Sequence, residues 1–173
     1  MAATGGTAGK PAAEANFTRE LNAPRELAWD AWTDPKHVAQ WFGPHGFTNP
    51  VCEWDARPGG AIRIHMRAPD GSMCPLMKGE FREVVRPERL RYTSWVVDDA
   101  GELLFEVDNL ITFAERAGKT ILTVLAKVTQ ASPRAVPFLS GMETGWSQGL
   151  ERLAGYVSKI RANQSPGAAP RVG

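Results

Sequence analysis

Apolar and polar positions alternate through the middle of this chain, and apolar residues fall at helical spacing near both ends. The clearest alternation is Ile62, Ile64 and Met66 against Arg63, His65 and Arg67, the pattern of a strand with one buried and one wet face. Similar runs read as strands over Asn16–Asn22, Phe47–Ala56, Met73–Val85, Leu90–Val97, Leu103–Phe113 and Thr120–Val128. Turn residues separate them, among them Pro58-Gly59-Gly60, Pro69-Asp70-Gly71 and Ala117-Gly118-Lys119. Gly79 marks a candidate bulge in its strand. Between the first two strands, Pro24 suits the opening turn of a short helix with Leu27, Ala28, Ala31 and Trp32 on one face and Trp29 off its centre. Asp34 caps a second short helix whose apolar side is Val38, Trp41 and Phe42. Gly43-Pro44-His45-Gly46 ends it.

The last element is a long amphipathic helix from about Pro133 to Ile160. Ser132-Pro133 is a good start signal, and Pro137 marks a kink or a later start. Leu139, Met142, Trp146, Leu150, Leu153, Val157 and Ile160 form one stripe at spacings of three or four. Gly145 and Gly149 flank Trp146 at a helix cost of roughly 1 kcal/mol each against alanine. Two such glycines imply either close approach to the sheet or room left for a ligand. One terminal helix against one antiparallel sheet can enclose an apolar space, so the pattern points to a container for a small apolar molecule.

Composition narrows this picture. A chain of 173 residues suits one domain, expected over 16–161 between a disordered leader (1–15) and a loose tail (162–173). The net charge is +1, from 20 basic and 19 acidic residues, so the basic excess of a nucleic-acid binder is missing. No run approaches the roughly 20 apolar residues of a membrane span, and the N-terminus has no apolar stretch of a signal peptide. Cys52 and Cys74 lie on different expected strands outside any paired motif, which fits two small core residues in a reduced, cytoplasmic setting.

Reactive constellations are weak. His37, His45 and His65 have no metal-ligand spacing, and the serines lack a nucleophile elbow. There is no phosphate loop or dinucleotide fingerprint, so no metal or cofactor is expected. His45, in a loop near the expected cavity mouth, is the candidate general base, with an ordinary loop histidine as the alternative. Glu53 and Asp55 share a strand face as an acid–base pair or as solvated charges.

Three motifs in order carry a resemblance. They are W-T-D-P-K-H-V-A-Q-W-F-G-P (Trp32 to Pro44), R-P-G-G (Arg57 to Gly60) with the alternating strand and P-D-G beyond it, and G-W-S-Q-G-L-E-R-L (Gly145 to Leu153). Together they resemble the START-like superfamily, and within it the branch similar to the C-terminal domain of the activator of heat shock protein 90 ATPase. The resemblance covers about Asn16 to Ile160. It implies an α+β helix-grip fold: a curved seven-stranded antiparallel sheet around the long C-terminal helix, with two short helices near the N-terminus. A cavity often lies between helix and sheet in such proteins.

Family members bind lipids, hormones or polyketides, close aromatic rings, or touch chaperones, and fold alone does not choose. By parity and stripe, Ile62, Ile64, Met66, Met142, Trp146 and Leu150 face inward, with Trp54, Tyr92, Asn109 and Phe138 beside them. These ten are the expected ligand-binding residues, with ordinary core packing as the alternative for each. Asn109 is the expected polar anchor and Tyr92 a source of a hydroxyl. No catalytic residue is assigned. The favoured function is binding of a small hydrophobic molecule, lipid-like or polyketide-like. The alternatives are a cyclase- or hydrolase-like enzyme using the same cavity, and a chaperone-contacting module with an exposed patch. An edge strand would also support a homodimer.

Overall fold

The computed structural model describes residues 14–164. Seven strands form one antiparallel sheet: β1 (Glu14–Leu21), β2 (Thr48–Trp54), β3 (Ala61–Arg67), β4 (Leu76–Val85), β5 (Arg89–Val97), β6 (Leu103–Arg116) and β7 (Lys119–Ala131). The spatial order is β1-β7-β6-β5-β4-β3-β2. Strands β2 to β7 are therefore a meander, and β1 returns to lie beside β7. Helices α1 (Arg25–Thr33) and α2 (Pro35–Trp41) carry the chain from the β1 edge to the β2 edge. After β7 come a short 3-10 turn (Pro133–Ala135), helix α3 (Val136–Leu139) and the long helix α4 (Met142–Gln164). The fold is the α+β helix-grip arrangement expected from the sequence.

Local chemistry accounts for the boundaries. Asp34 accepts a hydrogen bond from the Lys36 backbone N–H at 2.9 Å and starts α2. Asp70 accepts from the Ser72 N–H and hydroxyl, which closes the turn after β3 with Gly71 in the left-handed region. Register shifts interrupt the β2–β3, β4–β5, β5–β6 and β6–β7 pairings and bend the sheet. In β4 the shift lies between Phe81 and Glu83, not at Gly79. Gly79 serves close approach instead: a Cβ there would stand 2.4 Å from the Thr93 carbonyl oxygen.

Several expectations change. The terminal helix is not continuous from Pro133 but divides at Ser140-Gly141. Pro137 opens the short α3, where its missing N–H has no intrahelical acceptor to lose. Helix α4 extends past Ile160 to Gln164, and Arg161 donates to Asn22 Oδ1 at 2.7 Å near the end of β1. Strand β1 begins at Glu14, with Ala15 buried opposite Ala126. The remainder of the expected leader and tail lies outside the described residues. Cys74 sits in the loop before β4, because Pro75 has no N–H to give the ladder. Trp29 is buried against Phe113, ring centroids 5.3 Å apart, because α1 is covered on more than one side.

The main core lies between the helices and one face of the sheet. Leu150, Leu153 and Val157 of α4 join Ile62, Ile64, Phe81, Leu90 and Ile111 of the sheet and Trp32 and Trp41 of the short helices. Burying a side chain of this size contributes roughly 1.5–3 kcal/mol. This filled region occupies the end of the sheet under α1 and α2.

Candidate functional site

At the other end of α4 the packing is incomplete. A pocket of about 230 Å³ lies between the helix and the sheet. Its sheet wall is built by parity: Tyr92, Ser94 and Val96 of β5 stand opposite Asn109, Val107 and Phe105 of β6 in register. Alternate residues of a strand share a face, so these three cross-strand pairs form one surface. Met66 of β3 and Met77 of β4 extend it. Helix α4 supplies Met142, Gly145, Trp146 and Gly149, the loop after α2 supplies Phe42, Gly43 and Pro44, and Phe138 of α3 stands at the rim. No lining side chain carries a formal charge.

One polar feature interrupts the apolar wall, and a second is buried out of reach of the open space. Asn109 Nδ2 donates to the Tyr92 and Val107 carbonyls, both at 3.2 Å, and to Ser94 Oγ at 3.1 Å. Two carbonyl acceptors fix the orientation of the amide, since its oxygen would be repelled there. Oδ1 is thereby turned away from the sheet backbone and receives no hydrogen bond among the described residues. The second feature is a pair of orphaned atoms, Tyr92 Oη and Trp32 Nε1. They are neighbours, but not in hydrogen-bond geometry. Burial holds the Tyr92 hydroxyl well above the usual tyrosine range, and the nearby Trp32 N–H offsets this only partly.

The mouth is held by the first and last of the three motifs that carried the resemblance. Arg152 Nη1 donates to the carbonyls of Phe42, Gly43 and Pro44 at 3.2, 3.0 and 2.8 Å, and its Nη2 to that of Gln40 at 3.2 Å. Its guanidinium caps the C-terminal end of α2, where orphan carbonyls collect. Partial burial lowers its pKa from the ordinary arginine value. Gln148 Oε1 accepts from the His45 N–H at 3.1 Å, and His45 Nε2 meets Glu151 Oε1 at 2.8 Å. Trp146 stacks near Trp32 with centroids 6.3 Å apart.

Of the ten expected residues, Met66, Tyr92, Asn109, Phe138, Met142 and Trp146 border the pocket. Trp54, Ile62, Ile64 and Leu150 do not; they are buried in the filled core. The Trp54 indole instead donates to the Trp32 carbonyl at 2.7 Å. The indoles of α1 and α2 occupy the space these four would have faced. His45 stands outside the pocket in its exposed pair with Glu151. Glu53 is exposed, and Asp55 pairs with Arg57 at 2.8 Å on the surface.

Ser94, Val96, Phe105 and Val107 were not among the expected residues, although the parity that selected Tyr92 and Asn109 points to them too. Met77 could have been found the same way, since Met77, Gly79 and Phe81 alternate with Lys78, Glu80 and Arg82, whereas no periodicity places the loop residues Gly43 and Pro44 there.

Two larger depressions are more open to water. One, of about 680 Å³, runs past Trp29, Asp55 and Arg86. The other, of about 400 Å³, lies by His65, Cys74, Asp98 and Arg134, and the last two form an ion pair at 2.8 Å. Both mix charged with apolar groups, whereas the smaller pocket is walled by helix and sheet. Burial raises the Cys74 thiol pKa and takes that of Cys52 to about 11, which leaves neither a ready nucleophile. Among the described residues no three His, Cys, Asp or Glu side chains are grouped to hold a metal ion. None of the described helices is long and apolar enough to cross a membrane.

The family model described as Activator of Hsp90 ATPase homolog 1-like protein matches residues 22–158. The chain belongs to this family. Several solved structures resemble it, two of them over nearly their whole length. A protein from Chromobacterium violaceum is 34% identical, with 83% of this chain and 96% of that one covered and a TM-score of 0.68. The AHSA1 protein from Silicibacter pomeroyi shares the fold at 20% identity, covering 86% and 99% with a TM-score of 0.71. DynU16, a protein of the dynemicin biosynthetic locus, also shares the fold at 24% identity; 87% of this chain covers 49% of that one, with a TM-score of 0.62. No curated protein matches the chain.

Proposed function

We propose that the protein binds a small hydrophobic molecule, lipid-like or polyketide-like, in the pocket between α4 and the sheet. The observation that carries this reading is the lining: thioethers, aromatic rings and aliphatic side chains, with no charged group. Met66, Met77 and Met142 give adaptable walls, and Trp146 a broad flat one. The activator-like family and the fold shared with a protein of a biosynthetic locus support the reading. Acid–base catalysis inside the pocket finds no support in the two sequence candidates, since His45 and Glu53 lie on the outer surface.

Native mass spectrometry of protein purified from its own host, followed by denaturing extraction, tests the proposal. The expected result is a small apolar molecule that leaves on unfolding. Trp146→Ala is expected to lower its occupancy at least severalfold and to cost about 2 kcal/mol of stability, below the full buried-tryptophan range because the residue is only half-buried. Normal occupancy in that variant would remove Trp146 from the lining. An empty protein that also fails to take up ring-sized apolar probes would reject the function.

A further inference from the structure

We infer that the ligand of this pocket is uncharged and carries a hydroxyl group, which donates to Asn109 Oδ1 and accepts from Ser94 Oγ. The inference rests on the proposed ligand-binding function and deepens it. Asn109 is 2% exposed and Ser94 4%, and both line the pocket. The Asn109 amide nitrogen has two hydrogens and three acceptors around it at 3.1–3.2 Å. Its orientation is therefore fixed, and its oxygen is the lone-pair group left over on the pocket side. Ser94 Oγ spends a lone pair on Asn109 Nδ2, so its own hydrogen remains free to donate.

An acceptor and a donor thus stand together on a surface that is otherwise apolar. A hydroxyl complements both, because it gives one hydrogen and accepts another. A carboxylate does not: it has no hydrogen for Oδ1, and no cationic side chain lines the pocket to offset its desolvation. An ammonium has no carboxylate there to meet it. Size sets the apolar body. A cavity of about 150 Å³ takes benzene, so about 230 Å³ suits a molecule of one or two rings.

Equilibrium dialysis with three probes tests the assignment: naphthalene, 2-naphthol and 2-methoxynaphthalene. All offer the same rings, the second donates a hydrogen bond, and the third only accepts. The wild-type protein is expected to bind 2-naphthol about fivefold or more tightly than either of the others, the size of one net buried hydrogen bond. Ser94→Ala is expected to weaken 2-naphthol severalfold relative to naphthalene. It should fold normally, since two carbonyls still satisfy both amide hydrogens of Asn109.

Equal binding of 2-naphthol and 2-methoxynaphthalene would overturn the donor to Asn109, and equal binding of naphthalene would overturn the anchor altogether. An unchanged 2-naphthol affinity relative to naphthalene in Ser94→Ala would remove Ser94 from it. If none of the three binds, the ligand-binding function fails, and the hydroxyl anchor fails with it.

Discussion

Tyr92 concentrates the residue-scale chemistry. Its ring packs on Trp54 and Phe81, with centroids 5.2 and 5.5 Å away, while its hydroxyl has no partner. An unsatisfied buried hydroxyl contributes no stability, so Tyr92→Phe is expected to leave the unfolding free energy unchanged or raise it by up to about 1 kcal/mol. A loss of more than about 1 kcal/mol in urea denaturation would mean that the hydroxyl has a partner. The same residue predicts a pH dependence. Its folded pKa lies above the unfolded one, so above the unfolded tyrosine value of about 10 the unfolded chain holds fewer protons than the native one. Stability then falls as pH rises, by about 1.4 kcal/mol per pH unit for this one group. The Cys52 thiol, raised to about 11, adds a fall of the same sign. Comparing the slopes of wild type and Tyr92→Phe isolates the tyrosine, and equal slopes above pH 10 or so would reject its burial as a neutral group.

Between elements, the decisive contact is α4 against the loop after α2. Arg152 binds four backbone carbonyls there from a single side chain. Arg152→Met is expected to cost about 1.5–3 kcal/mol, the range for hydrogen bonds from a charged donor. A change below about 0.5 kcal/mol in chemical denaturation would show that water replaces the guanidinium without loss. The glycines of α4 behave differently. A Cβ at Gly145 would sit 3.8 Å from Pro44 Cγ, and one at Gly149 would sit 3.5 Å from the Gly43 oxygen. These are ordinary contacts, so close approach does not exclude alanine. Gly145→Ala is expected to raise stability by about 0.5–1 kcal/mol through helix propensity. Thermal unfolding checks this, and destabilisation would mean that helix and loop sit closer than 3.8 Å implies.

Across the whole molecule, the charges lie outside the site. The ion pairs Asp30–Arg86, Glu83–Arg89 and Asp98–Arg134 are all at least partly exposed, whereas the pocket wall carries none. Binding of a neutral probe should therefore be almost insensitive to ionic strength. Its dissociation constant is expected to change less than about twofold between about 50 mM and 500 mM salt, while exposed pairs are screened over that range. A steep salt dependence in equilibrium dialysis would point to a charged ligand or a surface site. The exposed hydrophobic side chains Met73, Val136 and Phe138 lie in the β3–β4 loop and α3, and Phe138 stands at the pocket rim.

The sequence by itself determined the elements, their order and the inward face of each strand. Residues two apart share a face, and residues three or four apart share a helical stripe, whatever the chain does elsewhere. Ile62 and Ile64 therefore point inward as read, and so do Tyr92 and Asn109. Whether an inward residue meets a pocket or another side chain is not a local property. Ile64 and Met66 share a face of β3, yet Ile64 is packed in the filled core and Met66 borders the pocket. The tertiary structure decided this by sending α1 and α2 across one end of the sheet, where Trp32 and Trp41 take up the space. It also decided the free oxygen of Asn109: the Val107 carbonyl lies two residues back on the same strand, but the Tyr92 carbonyl and Ser94 Oγ that complete the fixing of the amide come from the β5–β6 pairing and not from any spacing along the chain.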